Sequence, residues 1–209
     1  MQATACMHPA TKPRRRRPPA RQLLLSAAAR VFARDGLEGA TTRAISREAG
    51  VNEVTLFRHF GTKEHLIEAV VGSAFGKRAP KPAERHPGRR SLRADLAAFA
   101  RGYEEQLVEN LPLIRTIVGE IHRHGLCQHQ ALYGIFWPMR EALVERLARA
   151  SKSGEARPGL NAPIAADMLA GTIFASVLRR AGPGARRDYS VSEYRDACVD
   201  TFIHGIAVR

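Results

Sequence analysis

Residues Thr41 to His65 read TTRAISREAGVNEVTLFRHFGTKEH, and this stretch decides the fold. Ile45 and Ala49 are four apart and share one face of a short first helix. Gly50 takes positive φ without a Cβ penalty and ends that helix. Val51 plugs the corner, and Asn52 is a good N-cap for a second helix, on which Leu56 and Phe60 again share a face. Ala49 matters by its size, because two helices crossing over a short turn need a small residue at the contact. The pattern is a helix-turn-helix, a unit whose second helix enters the DNA major groove. Taken alone, it reads equally as the corner of any all-helical protein.

The flanking segments extend the pattern. Leu24, Ala28, Val31 and Phe32 fall at i, i+4, i+7 and i+8, a core-facing stripe on a helix from about Pro19 to Asp35. Gly36 ends it, and Leu37 continues the apolar contact beyond the end. After the corner at Gly61-Thr62-Lys63, Thr62 caps a fourth helix with Leu66, Ile67, Val70, Val71 and Ala74 on its apolar face. From Arg21 to Val71 the chain resembles the DNA-binding domain of the tetracycline-repressor (TetR/AcrR) family of transcriptional regulators. The segments that carry the resemblance are LLLSAAARVFARDGLEGAT, TTRAISREAGV and TLFRHFGTKEHLIEAV, in the family's order and spacing. It implies a homodimeric regulator with a variable C-terminal ligand-binding domain.

Candidate DNA contacts follow from both sources. With Leu56 and Phe60 turned to the core, Glu53, Val54, Thr55, Phe57, Arg58 and His59 are left to face DNA. Glu53 can accept from a cytosine amino group, Val54 can meet a thymine methyl, and Thr55 suits a phosphate or a base edge. Arg58 suits guanine or phosphate, and His59 suits phosphate or the edge of the domain. The resemblance implies that Thr42 and Arg43 touch DNA and that Lys63 holds a phosphate. Where the family often has Tyr, this chain has Phe57, so a phosphate bond from that hydroxyl is absent and Phe57 is partly available to the core. Lys63 lies at the positive end of its helix, which a bound phosphate would turn from a cost into a gain.

Charge supports this placement. Of 33 Lys+Arg and 20 Asp+Glu in 209 residues, the excess is concentrated before residue 91, as expected where a chain meets a polyanion. Cys6, Cys127 and Cys198 are too few and scattered for a disulfide framework, and neither a long apolar run nor an h-region is present. A cytoplasmic protein without a membrane span is expected. Residues 1–20, with four prolines and the Arg14–Arg17 run, read as a disordered basic tail. Such an arm follows phosphates, or it is an extension with no dedicated role. Residues 21–75 form the DNA-binding domain with its connecting helix. Residues 76–90, GKRAPKPAERHPGRR, read as a linker.

Residues 91–209 are expected to form a helical ligand-binding and dimerisation body, making the fold all-α. Leu92, Leu96, Phe99, Tyr103 and Leu107 give a helix ending near Asn110. Asn110 is placed to cap the next helix, whose face holds Ile114, Ile117 or Val118, and Ile121. A helix from Gln128 to Ala150 is kinked at Pro138, and SKSGEARPGLN follows as a loop. Asn161 caps a helix rich in small residues, GPGARR breaks it, and a last helix runs from about Ser190 to Val208. These final two helices are apolar on more than one side, which marks Ile164, Met168, Phe174, Val177, Tyr194, Cys198 and Phe202 as a dimer interface, or as ordinary core. An apolar effector pocket is expected from Phe99, Tyr103, Leu107, Ile117, Ile121, Phe136, Trp137 and Met139, each of which also reads as core.

His122, His124, Cys127 and His129 are clustered, but two of them are two apart on a predicted helix and no spacing fits a standard zinc site. No metal or other cofactor is expected. No nucleophile elbow, phosphate loop or dinucleotide fingerprint occurs. The expected function is a sequence-specific regulator, a homodimer on a palindromic double-stranded DNA operator, released by a small-molecule effector. The rivals are an architectural DNA binder and a helical enzyme or carrier with an incidental helix-turn-helix.

Overall fold

The computed structural model describes residues 18–75, 91–120, 140–180 and 188–207. Within them the chain is helical, and Ala156 and Ala207 form a lone antiparallel bridge. The head holds α1 (Ala20–Gly39), α2 (Thr42–Ala49), α3 (Glu53–Phe60) and α4 (Lys63–Phe75). The body holds α5 (Leu92–Glu109), α6 (Leu111–Glu120), α7 (described over 140–153), α8 (Ala162–Arg180) and α9 (Val191–Ile206).

Helix α1 is the post on which the head is built, with Leu24, Ala27, Ala28, Val31 and Phe32 fully buried. The expected end at Gly36 is a break rather than a stop. Gly36 has φ 77° and ψ 173°, and a further turn then runs on to Gly39. In the corner of the helix-turn-helix, Thr41 Oγ1 accepts from the Ala44 N–H at 3.1 Å, Gly50 is left-handed at φ 65°, and Asn52 Oδ1 accepts from the Val54 N–H at 2.9 Å. Ile45, Ala49, Leu56 and Phe60 are all buried. Leu56 is the centre of this contact and is fully buried, so Leu56→Ala should destabilise the protein by about 2–5 kcal/mol. Urea unfolding would measure it, and a loss below about 1 kcal/mol would mean that the corner repacks freely.

In the body, Leu92, Leu96, Phe99, Tyr103 and Leu107 line the inner face of α5, which packs on α8 and α9. Asn110 departs from expectation. Its side chain donates back to the Gln106 carbonyl of α5 at 2.9 Å, and α6 begins on its backbone oxygen, which accepts from the Ile114 N–H. Asn110 has helix-like φ −106° and ψ 12°, so its amide sits over the turn behind it and not over the turn ahead. Helix α7 runs to residue 153, past the expected end at Ala150, while Asn161 Oδ1 does cap α8 through the Ile164 N–H at 3.1 Å.

Helix α8 is, at 19 residues and mean hydropathy 1.3, long and apolar enough to cross a membrane, but nearly half of it is buried against its neighbours. Its buried face packs on α5 and α9, while Ile164 and Met168 remain exposed on the other. The Arg14–Arg17 tail, the 76–90 linker, Pro138, the cluster His122, His124, Cys127 and His129, the GPGARR break, and Ile121, Phe136, Trp137 and Met139 lie outside the described residues.

Candidate nucleic-acid interface

The recognition helix is short because Asn52 starts it and Gly61, at φ 72°, ends it. Eight residues at about 1.5 Å each give a rod about 12 Å long, close to the width of the major groove. Its outer face carries Val54, Phe57, Arg58 and His59, all exposed, with Glu53 and Thr55 half-buried beside them. Val54 is 73% exposed and Phe57 46%, so Phe57 belongs to the outer face and not to the core. Two apolar side chains three apart on one exposed helix face have a surface to offer a partner.

Thr42 and Glu53 meet each other: the Thr42 hydroxyl donates to the Glu53 carboxylate at 2.5 Å. The bond ties the first turn of α2 to the first turn of α3 and leaves the other Glu53 oxygen for a base. Arg43 and Arg58 are exposed and form no ion pair with described residues. On the α1 side, by contrast, Arg30 and Arg34 are both held by Glu48, at 2.7 and 3.1 Å. Among the described residues, carboxylates therefore neutralise the flank and leave Arg43 and Arg58 without a partner. Arg47, which the sequence reading passed over, is also exposed and unpaired, one turn after Arg43 on the same face of α2. That i+4 spacing was the available signal. Lys63 is half-buried, with its ammonium donating to the Glu38 carbonyl at 3.3 Å. Thr62 Oγ1 caps α4 by accepting from the His65 N–H at 3.2 Å.

Among the described residues, three polar links join head to body. Gln106 of α5 donates to the Ala74 and Phe75 carbonyls at 3.3 and 2.9 Å, satisfying the last turn of α4. The Thr116 hydroxyl of α6 reaches the Phe32 carbonyl at 3.3 Å, and Glu120 accepts from the Leu37 and Glu38 N–H groups at 2.8 and 3.2 Å. Within the body, Phe99, Tyr103, Leu107 and Ile117 are buried, with Phe99 and Tyr103 stacked at 5.7 Å. Burial pushes the Tyr103 hydroxyl far above its ordinary range, so it remains a neutral phenol.

On the outer side of the body, α8 and α9 enclose a cleft of about 500 Å³. Ile164, Met168, Tyr194, Cys198 and Phe202 line it, and Ile164 and Met168 are 57% and 62% exposed. Burial raises the Cys198 thiol, which stays protonated. Phe174 is half-buried, and Val177, 5% exposed, turns inward to the protomer's own core, because it follows Ile173 on the buried stripe of α8.

A helix-turn-helix head on a helical body defines a one-component DNA-binding regulator. The profile of "Bacterial regulatory proteins, tetR family" matches residues 24–70, and that of "Tetracyclin repressor-like, C-terminal domain" matches residues 86–190. The chain belongs to the TetR family and is a DNA-binding transcriptional regulator. It is similar to the HTH-type transcriptional repressor AcnR of Corynebacterium diphtheriae, 29% identical over 66% of this chain and 68% of that one. The HTH-type transcriptional regulator UidR of Escherichia coli is 25% identical over 72% and 76% of the two chains. In fold it matches the Bacillus subtilis regulator FadR in complex with stearoyl-CoA, at TM-score 0.72 and 21% identity over 88% and 98% of the two chains.

Proposed function

We propose that this regulator is a repressor that works as a homodimer on a palindromic DNA operator in the cytoplasm and is released by a small-molecule effector. It acts by occupancy and not by turnover. Residues 21–75 make the DNA-binding unit and residues 91–209 the effector and dimerisation unit. The observation that carries this reading is the outer face of α2 and α3, where Arg43 and Arg58 have no counter-charge among the described residues, beside a Val54 that is 73% exposed. Thr42, Arg43, Glu53, Val54, Thr55, Phe57, Arg58, His59 and Lys63 form the contact set, to which Arg47 is added. The second protomer covers the α8–α9 cleft, which presents the two recognition helices to half-sites about one helical turn apart.

The effector site is proposed on the inner side of the body, with Phe99, Tyr103, Leu107 and Ile117 as its described wall. The Bacillus subtilis regulator FadR, which has this fold, was solved in complex with stearoyl-CoA, and that supports a small-molecule effector here. An effector need only prefer the released state, by about 1.4 kcal/mol for each tenfold loss of operator affinity.

Selection of duplexes from a randomised library should return a palindrome. Arg43→Ala and Arg58→Ala should each cost about 1–3 kcal/mol on that duplex and relax the preference at one position in each half-site. Lys63→Ala should weaken all duplexes alike and flatten the salt dependence. Unchanged base preference in both arginine variants would remove α2 and α3 from the groove.

A further inference from the structure

Gly36 interrupts α1, and the turn that follows has the problem of any new helix start: its leading N–H groups have no carbonyl behind them. Gly36 supplies the first carbonyl of this turn, accepting from the Ala40 N–H at 3.2 Å. The free donors are Leu37 and Glu38, and both give their N–H groups to one oxygen of Glu120. Glu120 is the last described residue of α6, so the cap on this turn of the head comes from the body, 83 residues away from Leu37. The other Glu120 oxygen lies close against Gly36, whose φ of 77° is a conformation that other side chains rarely adopt. Thr116, one helical turn earlier on the same face of α6, grips the Phe32 carbonyl on the other side of the break. The turn so capped ends at the groove, because the Glu38 carbonyl accepts from Lys63.

We propose that Glu120 is a positioning residue for operator binding: the body's carboxylate holds the Gly36–Gly39 turn, and through the Glu38 carbonyl that turn seats the Lys63 ammonium for phosphate. The assignment rests on the reading of Lys63 as a phosphate contact. It gives the body a line of control over the head, through α6 and α1. Any shift of α6 along or away from α1 withdraws the cap, frees two N–H groups and loosens the seat of Lys63, without moving α3 within the head. A carboxylate suits this role because it accepts two bonds at one oxygen and makes each stronger than a neutral acceptor would.

The test uses the full-length protein and the tightest duplex that the wild type selects from a randomised library. Glu120→Ala should weaken binding by about tenfold, and Glu120→Gln, which keeps an acceptor oxygen, should recover part of that loss. Added to Lys63→Ala, the Glu120→Ala change should cost less than about twofold more, because the two act on one contact. A merely stabilising residue would lower the melting temperature yet act independently of Lys63, so multiplying effects would overturn the proposal. Amide hydrogen exchange gives a reading without DNA: Leu37 and Glu38 should lose protection in Glu120→Ala while α3 keeps its own, and unchanged protection would likewise overturn it. If the wild type selects no duplex, the reading of the head fails and the role of Glu120 with it. If the wild type selects one and Glu120→Ala binds it equally well, only the positioning role fails.

Discussion

Replacing Met168 with glutamate should turn the proposed dimer into a monomer and weaken operator binding by about 100-fold or more. Met168 is 62% exposed in the protomer, so a glutamate there has water around it and the protomer keeps its fold. In a dimer that seals the α8–α9 cleft, the same carboxylate would be enclosed in a mostly apolar lining that includes Ile164, Tyr194 and Phe202. Two linked heads bind consecutive half-sites with the second at high effective concentration, and a lone head forfeits that gain. Sedimentation at micromolar concentration should show a monomer with an unchanged far-ultraviolet spectrum. A dimeric Met168→Glu protein would place the interface elsewhere. Phe202→Glu is the weaker probe, since Phe202 is half-buried and its loss also disturbs the protomer.

The largest effect on stability is expected from Glu104→Ala. Glu104 on α5 lies between Arg180 of α8 and Arg195 of α9, bonded at 2.8 and 3.1 Å, and the three side chains are only 5%, 9% and 14% exposed. Arg180 also reaches the Ser176 hydroxyl at 2.9 Å and lies 5.2 Å over the Tyr194 ring. Removing the carboxylate takes away the partner that Arg180 and Arg195 share in a nearly dry site, although Arg195 keeps Asp196 at 3.2 Å, and should cost about 3–5 kcal/mol. For a chain of this size, that is a fall of roughly 10 °C in the melting temperature. Glu48→Ala, at the exposed Arg30 and Arg34 pair, should leave the midpoint nearly unchanged, because solvent already screens those charges. Equal losses from Glu104→Ala and Glu48→Ala would show that the body tolerates unpaired charge between α5, α8 and α9.

The helix-turn-helix was legible because everything it needs is local. Thr41, Gly50, Asn52 and Thr62 act within a few residues of their own positions, and Ile45, Ala49, Leu56 and Phe60 are set by helical period alone. The stripe on α5 and the Asn161 cap were readable for the same reason. Asn110 shows the limit of such reading: two adjoining helix ends competed for one amide, and backbone geometry at the junction chose the earlier one.

Spacing in the chain thus determined the helices, the corner and the exposed face of α3. The tertiary structure alone decided which carboxylates neutralise which arginines, since Glu48 meets Arg30 and Arg34 across 18 and 14 residues, while Arg43, Arg47 and Arg58 meet no carboxylate among the described residues. It also decided that Glu104 would lie between two arginines 76 and 91 residues away, that Val177 would face inward while Met168 faces out, and that Glu120 would cap a turn of the head. The physical reason is one of range. Caps and amphipathic stripes are settled by backbone geometry over one or two turns, whereas a charge or a polar side chain takes whichever partner the packing of distant helices brings within about 3 Å.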